Sequence, residues 1–121
     1  TDSHVVWRFR RGLPTVPSPL VYRGVVYMVK SSGIVTSLDA SNGKVLKQGR
    51  AAGRGNYYAS LVAGDGKVYV ASERGVVTVV KAGREWDTIS SHDFGERIMA
   101  TPVLHGGNIY LRTDAALYCF K

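Results

Sequence analysis

The 121 residues, 45% of them hydrophobic, with 14 glycines and only 4 prolines, fit one packed domain with many turns and exclude disorder. A formal charge of +7 comes from cations scattered in ones and twos between Arg8 and Lys121, which argues against the one-sided cluster of a nucleic-acid footprint. A single cysteine excludes an internal disulfide, and no apolar run approaches the roughly 20 residues of a membrane helix.

In chain order, residues 5–9 ("VVWRF") read as a strand that starts without lead-in, as expected of a piece cut from a longer chain. Asp2, His4 and Arg8 occupy the places where a signal peptide would be apolar. Short strands follow over residues 20–22, 25–30, 34–38 and 44–48, separated by glycine, serine and asparagine. No segment carries a helical period, and "GVVYMVK" and "GVVTVVK" are dominated by β-branched residues.

The same series then returns. Tyr27, Tyr69 and Tyr110 are separated by 42 and then 41 residues, each preceded by a glycine turn and followed six residues later by Gly33, Gly75 and Ala116. A repeat near 40 residues holding four short strands describes the blade of a propeller, an all-β fold. Within it, Val25, Tyr27 and Val29 face one way and Val26 and Met28 the other, so the strand needs cover on both faces. The fourth strand is mixed, as Lys44, Lys47 and Gln48 show, and suits a wet outer edge. "SNG" at 41–43 is the turn into that strand, where Asn or Gly takes a positive φ, and "KAG" at 81–83 is expected to repeat it.

"SPLVYRGVVYMVKSSGIVTSLDASNGKVL", "ASLVAGDGKVYVASERGVVTVV" and "TPVLHGGNIYLRTDAALYCF" resemble the PQQ-like (quinoprotein-type) β-propeller repeat. That family includes quinoprotein dehydrogenases and non-enzymatic relatives that assist outer-membrane assembly. Asp39 and Gly43 match its pattern, Lys47 stands where its docking tryptophan belongs, Trp86 comes one residue early, and Trp7 suits the outer strand of an earlier blade. The boundaries read as 1–16 for an outer strand of a preceding or partner blade, 17–50 and 58–97 for two blades, and 100–121 for a last blade of three strands. Propellers close with roughly four to eight blades. These blades are therefore expected either to be the C-terminal portion of a longer chain or to join a second copy, residues 5–9 of one pairing beside residues 117–120 of the other to close a six-bladed ring.

The enzymes of this family, by the resemblance, hold PQQ under a vicinal disulfide with Ca²⁺ and an aspartate base. Cys119 is alone, so that disulfide cannot form, and the acids lie mostly in turns without a dense calcium loop. Asp39 and Asp65 read as turn formers, Cys119 as a small buried packing residue, and His4, His92 and His105 lack zinc spacing. No catalytic, cofactor-binding or metal-binding residue is expected. The candidate binding residues are Arg54, Asn56 and Tyr57 in the bridge "GRGNYY", Arg97 in the bridge "FGERIM", and Glu73, Arg74 and Asp114 in neighbouring turns; the bland reading is that Tyr57 or Tyr58 packs between blades.

Two functions remain open at this point. One is a non-catalytic binding or scaffold module acting through one rim, and the other is a fragment of a PQQ-dependent quinoprotein dehydrogenase. A periplasmic or secreted location is what the resemblance implies.

Overall fold

The computed structural model describes Trp7 and residues 18–30, 32–52, 56–57, 59–98 and 101–120, which contain strands and no helix. β1 (Leu20–Tyr22), β2 (Val25–Val29), β3 (Ile34–Asp39) and β4 (Val45–Arg50) form one sheet. β5 (Val62–Gly64), β6 (Lys67–Ala71), β7 (Val76–Lys81) and β8 (Asp87–Asp93) form a second. β9 (Val103–His105), β10 (Asn108–Arg112) and β11 (Leu117–Phe120) form a third, and every pairing is an antiparallel meander. The all-β propeller reading therefore holds. The strand expected over residues 5–9 lies outside the described residues except for Trp7.

Alternation along β2 assigns each residue to a different interface. Val25, Tyr27 and Val29 join Val68, Val70 and Val80 of the second sheet, with Tyr57 and Leu61 from the bridge between them, in one core. Val26, Met28 and Leu38 face the other way, beneath Trp7. The second sheet repeats the arrangement: Tyr69, Ala71 and Val77 leave the first core and meet Ile109 and Leu111 of the third sheet. Burying a valine of this kind contributes about 1.5–3 kcal/mol, so the middle strands carry the packing. β8, exposed along its whole length, holds on chiefly through its ladder to β7.

The turns show where the copies differ. In the first blade Gly43 has a φ of +75°, and its N–H donates to the Asp39 carbonyl at 2.8 Å. The Asp39 carboxylate accepts from the Ser41 N–H at 2.9 Å and hydroxyl at 2.6 Å, which is turn formation of the expected kind. The second blade departs from expectation: Gly83 is not left-handed, and the turn lies over Gly83, Arg84 and Glu85. The Gly83 N–H is instead held by the Tyr27 hydroxyl of the blade before, at 2.8 Å. Between the second and third strands, Gly33 (+94°) and Gly75 (+101°) are left-handed, and the turns close with Lys30 N–H to Ile34 O and Ser72 N–H to Val76 O. The third blade closes one residue sooner, Thr113 N–H to Ala116 O at 2.9 Å. Ala116 therefore stands where Val76 does rather than where Gly75 does, which suits a residue with a Cβ.

Two positions test this account by chemical denaturation. A Cβ on Gly75 would meet the backbone of Glu96 in a left-handed conformation, so Gly75→Ala is expected to cost about 3 kcal/mol or more. Gly83→Ala, with open space and no positive φ, is expected to stay within about 0.5 kcal/mol of the parent.

Candidate functional site

The second-to-third-strand turns and the inter-blade bridges share one rim, and backbone hydrogen bonds tie them together. Glu73 N–H donates to the Asn56 carbonyl at 2.7 Å, Ile98 N–H to the Glu73 carbonyl at 2.9 Å, and Asp114 N–H to the Arg97 carbonyl at 3.0 Å. Asn56, Glu73, Arg97 and Asp114 are thus brought side by side from four separate stretches. Arg97 also pairs with the Glu73 carboxylate at 2.9 Å. Both side chains are partly solvated, so the pair is worth only about 0–1 kcal/mol and serves to orient rather than to stabilise. Arg74 and Asp114 are exposed on the same rim. Arg54 lies outside the described residues.

Two expectations are corrected here. Tyr57 is fully buried in the core between the first two blades and cannot stack on a ligand; the bridge turns its large apolar ring inward because the gap between sheets is the nearest place to remove it from water. Cys119 is exposed, not buried, because it lies on β11, whose outer edge has no partner strand among the described residues.

The bridge "FGERIM" also offers Glu96, and the structure gives it partners that sequence reading missed. The Glu96 carboxylate accepts from the Tyr118 hydroxyl at 2.6 Å and the Thr113 hydroxyl at 2.8 Å. Those two donors hold the Glu96 carboxyl below its ordinary range, and the carboxylate raises the Tyr118 phenol. These residues are 17 and 22 apart along the chain, so only the β10–β11 hairpin reveals the cluster. Among the described residues no three of His, Cys, Asp and Glu gather as metal ligands would.

The opposite rim carries the first-to-second and third-to-fourth-strand turns. There Asp39 also accepts from Arg84 of the next blade at 3.1 Å, and its carboxyl is lowered to about 2, chiefly by Ser41 and then by Arg84. Asp65, Gly64, His105, Gly106 and Gly107 border a shallow pocket of about 200 Å³ on this rim. A larger groove of about 410 Å³ opens between β8 and β11, walled by Tyr69, Val77, Val79, His92, Phe94 and Tyr118.

Tryptophans set the blade spacing, and they explain the two departures in the repeat. Register makes Gly43 and Trp86 counterparts: Asp39 bonds to Lys44 as Lys81 pairs with Asp87, and each is the residue before. Trp7 lies over Gly43 and donates from Nε1 to the Ala40 carbonyl at 2.8 Å. At the next interface the indole comes from the other side. Trp86 reaches back over Gly49 of β4, with 2.8 Å from a ring carbon to where a Cβ would stand. Lys47 then sits over its ring at 4.8 Å and donates to its carbonyl at 2.6 Å. Trp86 Nε1 is buried without a partner among the described residues, a cost of about 1–3 kcal/mol; burial of an indole, which costs about 3–5 kcal/mol to remove, outweighs it.

The whole chain, residues 1–121, matches a family described as the outer membrane protein assembly factor BamB. Among solved structures it is similar to BamB from Moraxella catarrhalis, at 18% identity and a TM-score of 0.70, over 84% of this chain and 32% of that one. It is also similar to the quinohemoprotein alcohol dehydrogenase ADHIIG from Pseudomonas putida HK5, at 20% identity and 0.65, over 88% and 18%. A europium-containing methanol dehydrogenase aligns at 15% identity and 0.68, over 84% and 20%. The chain thus spans about a third of the first and a fifth or less of the others, and these likenesses show the fold. No curated protein matches.

Two titrations test the electrostatics. Glu96→Gln removes the charge that raises Tyr118, so the Tyr118 ring signals are expected to titrate at lower pH, nearer 10.0. Asp39, with a depressed folded-state pKa, adds stability above its ordinary value of 3.8 and loses it as pH falls through about 2. The gap in thermal midpoint between the parent and Asp39→Asn is therefore expected to be constant above pH 3.8 and to close toward pH 2.

Proposed function

Because this chain belongs to the PQQ-like β-propeller family described as the outer membrane protein assembly factor BamB, we propose that it is a non-catalytic binding and scaffold module. It meets another protein or a ligand through the rim that carries Asn56, Glu73, Arg74, Arg97 and Asp114. The observation that supports this reading is the backbone ladder across four stretches of chain. It fixes the rim in place while leaving the exposed Arg74 and Asp114 side chains to face a partner, and a pre-ordered polar surface loses little entropy on binding. No cofactor is part of this proposal. Further blades complete the ring, supplied by the rest of a longer chain or by a second copy.

The compartment that goes with this reading is periplasmic or secreted, where an outer-membrane assembly factor works. Among the described residues no helix is long and apolar enough to cross a membrane.

A second reading, a fragment of a PQQ-dependent dehydrogenase, draws on the likeness to the two dehydrogenases. Isothermal titration with PQQ in the presence of Ca²⁺ separates the two. The scaffold reading expects no binding at micromolar concentrations, and a stoichiometric complex would replace it with the enzymatic one. A positive result for the scaffold is loss of partner capture by a double variant, Arg74→Ala with Asp114→Ala, that unfolds at the parent's temperature.

A further inference from the structure

The inner strands of the three blades meet in two successive contacts that can be compared residue by residue. Both open on the same bond: Ser18 N–H donates to the Ser60 hydroxyl at 3.2 Å, and Ser60 N–H donates to the Thr101 hydroxyl at 3.0 Å. Register places Tyr22 opposite Val25 and Gly64 opposite Lys67, so Gly64 is the counterpart of Tyr22. In the same way Leu104, opposite Ile109, is the counterpart of Ala63, opposite Val68. The hairpin turns that follow, Arg23-Gly24, Asp65-Gly66 and Gly106-Gly107, share a positive φ at both residues, and Gly107 is thereby the counterpart of Gly66.

At the first contact Tyr22 fills the gap. Its ring packs against the core that Ala63 also joins, and its hydroxyl accepts from the Gly66 N–H at 2.8 Å. At the second contact the same position carries no side chain. Leu104 leans into part of the space, its Cδ1 2.9 Å from where a Gly64 Cβ would stand. Beyond it remains the rim pocket of about 200 Å³, bordered by Gly64, Tyr69, Leu104, Ile109 and the Gly106-Gly107 turn. Among the described residues no group accepts from the Gly107 N–H. Apolar cavities of about 150 Å³ take up benzene, so one aromatic ring fits. The walls come from β5, β6, β9, β10 and their turns, inner strands whose facing sheets are both in place.

We infer that this pocket is a binding site for a small free phenol. The ring lies where the Tyr22 ring lies one blade earlier, and its hydroxyl accepts from the Gly107 N–H as the Tyr22 hydroxyl accepts from Gly66. Leu104 and Ile109 supply apolar burial, while the single backbone donor sets the orientation. In this pose the para position points at Gly64, from which the tyrosine side chain would otherwise grow. The site therefore takes a ring with a small para substituent or none, and it rejects a tyrosyl side chain carried on another chain.

Amide NMR on the whole chain reads the site directly, with Gly107 and Gly66 as paired probes. Phenol at millimolar concentration is expected to give a saturable shift of the Gly107 amide and to leave the Gly66 amide, already held by Tyr22, in place. Toluene, which lacks the hydroxyl, is expected to bind about three- to tenfold more weakly, and N-acetyltyrosine amide, blocked at the para position, is expected not to bind. Gly64→Tyr combined with Leu104→Ala writes the first contact into the second; it is expected to abolish the phenol shift and raise the thermal midpoint. Should that variant fail to fold, the ligand series on the parent decides alone. Equal binding of toluene and phenol, a shift at Gly66 in place of Gly107, tighter binding of the tyrosine amide, or phenol binding retained by the folded double variant overturns the inference. The pocket lies on the rim opposite Arg74 and Asp114, so none of these outcomes bears on the scaffold reading.

Discussion

A middle strand that is apolar on both faces needs a neighbour on each side, and most of this structure follows from that need. β2 places Val25, Tyr27 and Val29 in one core and Val26 and Met28 in another; β6 divides its residues the same way. Each sheet therefore serves two interfaces, and the cores run through the stack rather than belonging to single blades. The outer strands add little burial. Their task is to bring tryptophan, lysine and glycine to the gaps between sheets.

The tyrosines make this stacking specific. Apolar faces alone would allow neighbouring sheets to slide, because valine against valine has little directional preference. Tyr22 and Tyr27 remove that freedom: each buries most of its ring and places the hydroxyl on a turn of the next blade, at Gly66 N–H and Gly83 N–H, both at 2.8 Å. A displaced sheet would lose both bonds. Burial raises the Tyr27 phenol against the smaller effect of its bond to Gly83, so it remains a neutral hydroxyl able to accept from one glycine and donate back.

The repeat was legible because its signals are local: a glycine-bearing turn before each tyrosine, alternation in β2, β-branched runs in β2 and β7. The first blade's turn chemistry at Asp39 and Gly43 could be read for the same reason. Other features were hidden because they are settled across interfaces. Lys47 in the tryptophan position and Trp86 one residue early look like two independent irregularities in the chain. In space they are one exchange, with the indole supplied from the opposite side of the same gap. Tyr57 looked available in a polar bridge until the depth of the neighbouring core was known. Cys119 looked like packing because it stands between Tyr118 and Phe120 in an apolar run. The Glu96 cluster has no spacing signature, since a hairpin closure decides which residues meet.

The ladder that links the rim is made of peptide groups. Asn56, Glu73, Arg97, Ile98 and Asp114 are linked through N–H and carbonyl, atoms that every residue except proline carries in full. The shape of the rim is thus largely indifferent to which letters are written there. Over generations, or in a laboratory library, such a surface is open to new vocabulary at Arg74 and Asp114 while the architecture beneath stays as it is, which makes it good ground for acquiring new specificities.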